Sequence, residues 1–223
     1  TQGMIDFALN LRGASEYTVY AERGVVERGN SEIRGTKADA MRSAEGRKMT
    51  KELANAIDAM RQLPCTELKS ADLTGKVFTP GVYCLNAAEL NGEVVMDGKG
   101  SAAGTFIFKV TGSLDAKSGS SIRVENGAQG GNVFFVASGV EVGDDVALRA
   151  NVLTDGNIKI GRSTVTDKVM ALGKVELNDS ALLGGTTGSL EICKEQQLPV
   201  TAANDLSNRI FHYTITGSAH PTP

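Results

Sequence analysis

Between Leu73 and Leu183 the chain reads as short apolar pairs separated by Gly, Asp, Asn or Ser, and toward the end the pattern becomes periodic. Gly139-Val-Glu-Val142, Asn157-Ile-Lys-Ile160 and Lys174-Val-Glu-Leu177 each set two β-formers around one charged residue. From Val140 to Ile158 is a step of 18, and from Ile158 to Val175 a step of 17. That period is too short for a helical repeat or a propeller blade. It suits one turn of a β-solenoid, whose coils bury their inward side chains only by stacking on one another. The pattern therefore predicts a mainly β fold that offers long, flat, regularly spaced surfaces rather than a cleft.

Shorter β-like runs precede the periodic coils: Val77–Thr79, Gly81–Leu85, Glu93–Met96, Thr105–Val110, Ser121–Glu125 and Asn132–Ala137. Between them stand Asn91-Gly92, Asp97-Gly98 and Asn126-Gly127, pairs that accept positive φ in turns. Residues 4–35 hold further short runs, Ile5–Leu11, Tyr17–Ala21, Val25-Val26 and Ser31–Ile33, set apart by glycines. The stretch Thr36–Leu63 has a different rhythm. Ala38, Met41, Met49, Leu53, Ile57, Met60 and Leu63 recur mostly at three or four residues, the apolar stripe of an amphipathic helix. Thr36 with Asp39 makes a capping-box-like start and Pro64 a stop. The reading is a helix over 36–63 lying as a strut along the solenoid.

Composition narrows the function classes. Hydrophobic residues make up 41% of the 223, enough for a core, while aromatics are only 5% and the 26 glycines fit a fold with many corners. The net charge of −3 leaves no basic footprint, so nucleic acid is not an expected partner. No apolar run approaches the ~18 residues that span a bilayer, so no membrane insertion is expected. Thr1-Gln2-Gly3 opens without a charged and then apolar leader, so the chain is expected to be a processed or recombinant form. Three cysteines stand at 65, 84 and 193, and the residues alone leave open whether they are free thiols or include a disulfide. No cofactor or metal is expected. His212 and His220 lie apart from any ligand-like spacing, and Asp97-Gly-Lys-Gly-Ser101 lacks the spacing of a phosphate loop. Asp144-Asp145 would point to opposite faces on a strand, so the pair reads as a solvated turn rather than a cation site.

Several phrases follow one another in the order of a known family: LPCTEL at 63–68, DLTGKVFTPGVYCL at 72–85, LNGEVVMDGKGSAAGTFIFKV at 90–110, GSSIRVENGAQGGNVFFV at 119–136 and VLTDGNIKI at 152–160. They resemble the secreted microbial ice-binding proteins, over about residues 5–187. The resemblance implies a right-handed, discontinuous β-solenoid with one long α-helix packed along it. It also implies a Cys65–Cys84 disulfide, an extracellular or cell-surface location and a non-enzymatic role. AERGVVERGNSEIRG at 21–35 resembles the family's N-terminal coil, with charges where Thr and Asn are usual. The chain departs in its short connection from that coil to the helix, in Gly130-Gly131 where Ala-Cys is frequent, and in lacking paired Thr arrays on its coils.

Adsorption to ice needs a flat array of methyls and hydroxyls that holds ordered water, not a catalyst. Glu141, Lys159 and Glu176, the middle residues of the periodic coils, are expected to stack as an alternating-charge ladder and so to spoil that row. The residues expected to touch ice are Ser163, Thr164, Thr166, Ser180, Thr186 and Thr187, with Ala181 beside Ser180. An ordinary solvated Ser/Thr surface competes with this reading at each position. The expected domains are an ice-binding-like solenoid over 1–187 and a C-terminal extension over 188–223. Strands Ser189–Lys194 and Ile210–Thr216 make that extension either an appended hairpin or the start of a further extracellular domain, which would hold the partner of Cys193. Such strands are expected to dock on the last coil, whose edge would otherwise lie open. The rival to ice binding is a non-enzymatic adhesion or surface-display module on the same fold.

Overall fold

Among the described residues the chain builds three parallel sheets of eight, six and seven strands, and each full coil gives one strand to each sheet. The computed structural model describes residues 17–38 and 43–184. The chain groups into two compact units, Thr1–Gly188 and Ser189–Pro223, and every described residue belongs to the first. The first coil runs β1 (Val19–Ala21), β2 (Val25–Arg28) and β3 (Glu32–Ile33), then β4 (Lys37–Ala38) and the helix α1 (Ala44–Gln62). An abbreviated turn follows, β5 (Thr66–Glu67) and β6 (Val77–Phe78), with an Asp72–Glu89 bridge between them. Five full coils come next: β7 (Gly81–Leu85), β8 (Ala88–Leu90), β9 (Glu93–Asp97); β10 (Phe106–Val110), β11 (Ser113–Ala116), β12 (Ser121–Glu125); β13 (Val133–Ala137), β14 (Gly139–Val142), β15 (Ala147–Arg149); β16 (Asn151–Thr154), β17 (Ile158–Ile160), β18 (Thr164–Thr166); β19 (Val169–Ala171), β20 (Val175–Asn178), β21 (Ala181–Leu182).

Register shows how the periodic and irregular parts join. Val152 pairs with Val169, a step of 17, and Val140 with Ile158, a step of 18. Val82 pairs with Ile107, a step of 25, because the corner between β9 and β10 carries a longer loop. At the corner between the first and second sheets the backbones of successive coils approach closely. A Cβ on Gly156 would lie 2.0 Å from the Ser138 carbonyl oxygen, and one on Gly173 2.2 Å from that of Gly156. Only glycine fits there.

Inside the coils one ladder runs through Tyr83, Phe108, Phe135, Val152, Val169 and Val19. The Phe108 and Phe135 rings stack with centroids 4.6 Å apart. The first sheet also buries its outer side. Tyr20, Val82, Ile107, Phe134, Val136, Leu153 and Met170 form a second core with Met49, Leu53, Ala56, Ile57 and Met60 of α1. A sheet covered on both faces reads as continuous apolar runs, and VFFVA and VMA do so, whereas strands of the second sheet such as β14 and β17 alternate. Each of Leu53, Ile57 and Met60 contributes about 1.5–3 kcal/mol by full burial.

The helix starts later than its apolar stripe suggests. Thr36 stands just before β4, its carbonyl accepting from the Thr18 and Val19 amides, and the N-cap is Ser43, whose hydroxyl accepts from Gly46 N at 3.1 Å. The stripe over 36–63 therefore fuses a strand residue, Ala38, with a true helical face. The end agrees with expectation at Gln62.

The first coil stacks at the far end of the solenoid, on the last one: β1 on β19, β2 on β20 and β3 on β21. The edge of the last coil is thus already taken, which removes the reason for docking the C-terminal strands there. Ser189–Lys194 and Ile210–Thr216 themselves lie outside the described residues, as do Ile5–Leu11 and Cys193. Between the first coil and β5 the chain must cross the whole first sheet, eight strands at about 4.8 Å, or roughly 34 Å. The 19 residues of α1 supply about 28 Å of it at 1.5 Å per residue, and the connecting residues at its ends supply the rest.

Candidate functional site

With α1 over the first sheet, the second and third sheets carry the exposed regular surfaces. On the second, the outward row reads Val26, Glu176, Lys159, Glu141, Asp115 and Glu89. Glu141, Lys159 and Glu176 stack as expected, but strict alternation of charge ends there, because three acids stand side by side from Glu141 to Glu89. Lys117 relieves part of this through its ion pair with Asp115, which with the nearby acids raises its pKa. Charged groups hold their own hydration and make a poor template for ordered water.

On the third sheet the pleat separates residues that the sequence reading placed together. Ser163 is 6% and Ser180 1% exposed. Ser163 Oγ donates to the Gly143 carbonyl at 2.6 Å and accepts from Val146 N at 2.8 Å; Ser180 Oγ donates to the Gly161 carbonyl at 2.8 Å. Both serve the corner between the second and third sheets, and neither reaches the surface. Thr164 and Thr166 point outward from β18 and are partly exposed, flanking the buried Val165. Thr186 and Thr187 lie outside the described residues.

Register gives Thr164 its neighbours. Ala181 and Ala147 stand on either side of it, and Ser121 lies beyond Ala147. This row of Ser121, Ala147, Thr164 and Ala181 is small and uncharged, steps by one strand spacing of about 4.8 Å, and ends at Glu93 and Glu32. The parallel row is coarser: Thr166 stands opposite Arg149, and Arg123 is held by Glu93 at 3.1 Å and Glu125 at 2.6 Å. Ala147 was missed in the sequence although the regular step of the last coils leads to it from Thr164. The step from Ser121 to Ala147 is much longer, and there the period fails.

The corners beside this face are closed electrostatically. Asp144 and Asp145 occupy an exposed turn, as expected, and Arg162 of the next coil pairs with Asp145 at 3.0 Å. Its amide donates to Asp144 Oδ1 at 2.9 Å. Asp97-Gly-Lys-Gly-Ser101 is a corner too: Asp97 accepts from Lys99 N and Asn126 Nδ2, each at 2.9 Å, and pairs with the Lys99 ammonium. Among the described residues no cluster of three His, Cys, Asp or Glu could hold a metal ion. Cys65 and Cys84 are joined, with Cα atoms 5.7 Å apart.

Comparison with known proteins agrees with this architecture. The profile of the ice-binding-like family matches residues 6–182. An ice-binding protein of Nostoc sp. (strain HG1) is 38% identical over 74 residues, which cover 33% of this chain and only 27% of that protein. The crystal structure of an ice-binding protein from the Antarctic ascomycete Antarctomyces psychrotrophicus superposes with a TM-score of 0.74 at 24% identity, covering 80% of this chain and 98% of that one. A Shewanella frigidimarina ice-binding protein domain gives 0.72 at 18% identity, covering 79% and 97%. The structural likenesses establish the fold. The profile match runs from before the first coil through the last, and on that ground the chain belongs to the ice-binding-like family.

Proposed function

We propose that this protein adsorbs to ice and restrains crystal growth or recrystallisation through the outer face of the third sheet, outside the cell and without catalysis. The observation that carries this reading is the small, uncharged row Ser121, Ala147, Thr164 and Ala181, in register across neighbouring strands. Methyl and hydroxyl groups repeat there at the strand spacing, and water can be ordered between them and a crystal. Thr166 extends the face by one residue. Family membership and the names of the related proteins support the same activity. The short row and the arginines beside it point to modest affinity. The residues after 187 are proposed to be a separate C-terminal extension, beginning a further extracellular domain.

The test is thermal hysteresis and ice recrystallisation with the parent, with Thr164→Tyr/Ala147→Tyr and with Lys159→Tyr on the second sheet. The double variant should lose crystal shaping with an unchanged circular dichroism spectrum, while Lys159→Tyr keeps it. Shaping that survives the double variant would overturn the face assignment. A folded parent with neither hysteresis nor recrystallisation inhibition would favour an adhesion or surface-display module, the reading that the charged row of the second sheet supports.

A further inference from the structure

Beyond the end of α1 the chain passes through Leu63-Pro64-Cys65 and is tied to β7 by the disulfide to Cys84. Cys65 is exposed and Cys84 partly so, and Cys84 lines a surface groove with Arg61, Lys109, Val110, Thr111 and Ser138. The two sulfurs sit in unlike surroundings. Lys109 Nζ lies 3.5 Å from Cys65 Sγ while donating to the Leu63 carbonyl at 2.6 Å. Cys84 has Lys109 as its neighbour on β10 and the acidic Glu67 as its neighbour on β5. Arg61 adds a second cation to the groove, partly offset by its ion pair with Asp155 at 2.8 Å.

We propose that this disulfide is an exchange site for small anionic thiols, with Cys84 as the sulfur attacked and Cys65 as the sulfur released. The incoming thiolate forms a bond to Cys84 Sγ as the Cys65–Cys84 bond breaks, and the electron pair leaves on Cys65 Sγ. One thiolate is consumed and one produced, so no further oxidant or reductant enters. The released thiolate is stabilised by the Lys109 ammonium already beside it, and a stabilised thiolate leaves faster. A carboxylate on the incoming thiol is drawn into the groove by Lys109 and Arg61. The product keeps its helix, because Leu53, Ile57 and Met60 remain in the core with the first sheet. What it loses is the covalent tie at the helix exit. None of this depends on ice binding.

The full chain is alkylated with iodoacetamide to block any free thiol at Cys193. It is then exposed to limiting mercaptoacetate with N-ethylmaleimide as trap and mapped by mass spectrometry without reduction. Mercaptoacetate is expected on Cys84 and maleimide on Cys65, exceeding the reverse pattern by at least ~3:1. Equal or reversed labelling, or no mixed disulfide, would overturn the assignment. At matched thiolate concentration mercaptoacetate should react faster than 2-mercaptoethanol, with the gap closing in about 1 M salt; equal rates at low salt would remove the anionic class. Folded Lys109→Gln should bring the labelling ratio toward unity, and an unchanged ratio would overturn the role of Lys109.

Discussion

Single side chains at the corners set how securely one coil sits on the next. Where Ser163 satisfies two backbone groups of the preceding coil, the equivalent hydroxyl two coils earlier, Ser120 Oγ, is buried without a hydrogen-bond partner. Ser163→Ala should therefore cost about 1–3 kcal/mol by leaving the Gly143 carbonyl and Val146 amide unpaired. Ser120→Ala should be neutral or slightly stabilising. Urea unfolding of the two variants checks the contrast, and equal losses would contradict it. Asp97 is a second such residue. Its hydrogen bonds from Lys99, and then from Asn126, lower its pKa to about 2 from 3.8. A depressed carboxyl pKa contributes stability that is fully present above the unfolded value and fades as pH falls through the folded one. The stability gap between the parent and Asp97→Asn should be constant above pH ~4 and shrink as pH falls toward ~2. A gap independent of pH across that window would exclude the linkage.

At the scale of elements, the helix shows how a periodic stripe misstates its own start. Ala38 continues the spacing of Met49, Leu53 and Ile57 and is buried with them, but it is buried from a strand. Ser43→Ala should remove the cap and cost ~0.5–2 kcal/mol, whereas Thr36→Ala, which spares the carbonyl that pairs with Thr18 and Val19, should change little. Thermal melts of the two variants separate the alternatives. The strands repeat the lesson in their pleat. Thr164 and Thr166 share one side of β18, while Ser163, one position off, falls on the other.

For the whole molecule, the decisive arrangement is the first coil stacked on the last. That coil now holds the outer edges of the second and third sheets, and its charges are arranged to blunt them. Lys37 pairs with Glu27 at 2.7 Å and Arg34 with Glu32 at 2.7 Å. The charged residues of this coil thus stand where an open edge needs protection. Deleting residues 1–38 should uncover β19, β20 and β21, lower the melting temperature and produce self-association in size-exclusion chromatography. A truncated chain as monomeric and as stable as the parent would show that the coil is dispensable.

The sequence by itself determined the solenoid class, the period of the last three coils, the stacking of Glu141, Lys159 and Glu176, and a helix that stops before Pro64. These are local matters of alternation, short repeat and backbone restriction, which a linear pattern carries directly. It did not determine which coil neighbours which, because the first coil meets the last through pairs such as Val19 with Val169, a separation that no period links. Nor did it place Ser121 beside Ala147, since a long corner loop breaks the repeat there. Whether a hydroxyl faces solvent or the interior depends on the side of the pleat that each corner hands to the next strand. That parity is decided only when the coils close on one another, and it put Thr164 on the surface and Ser163 and Ser180 within.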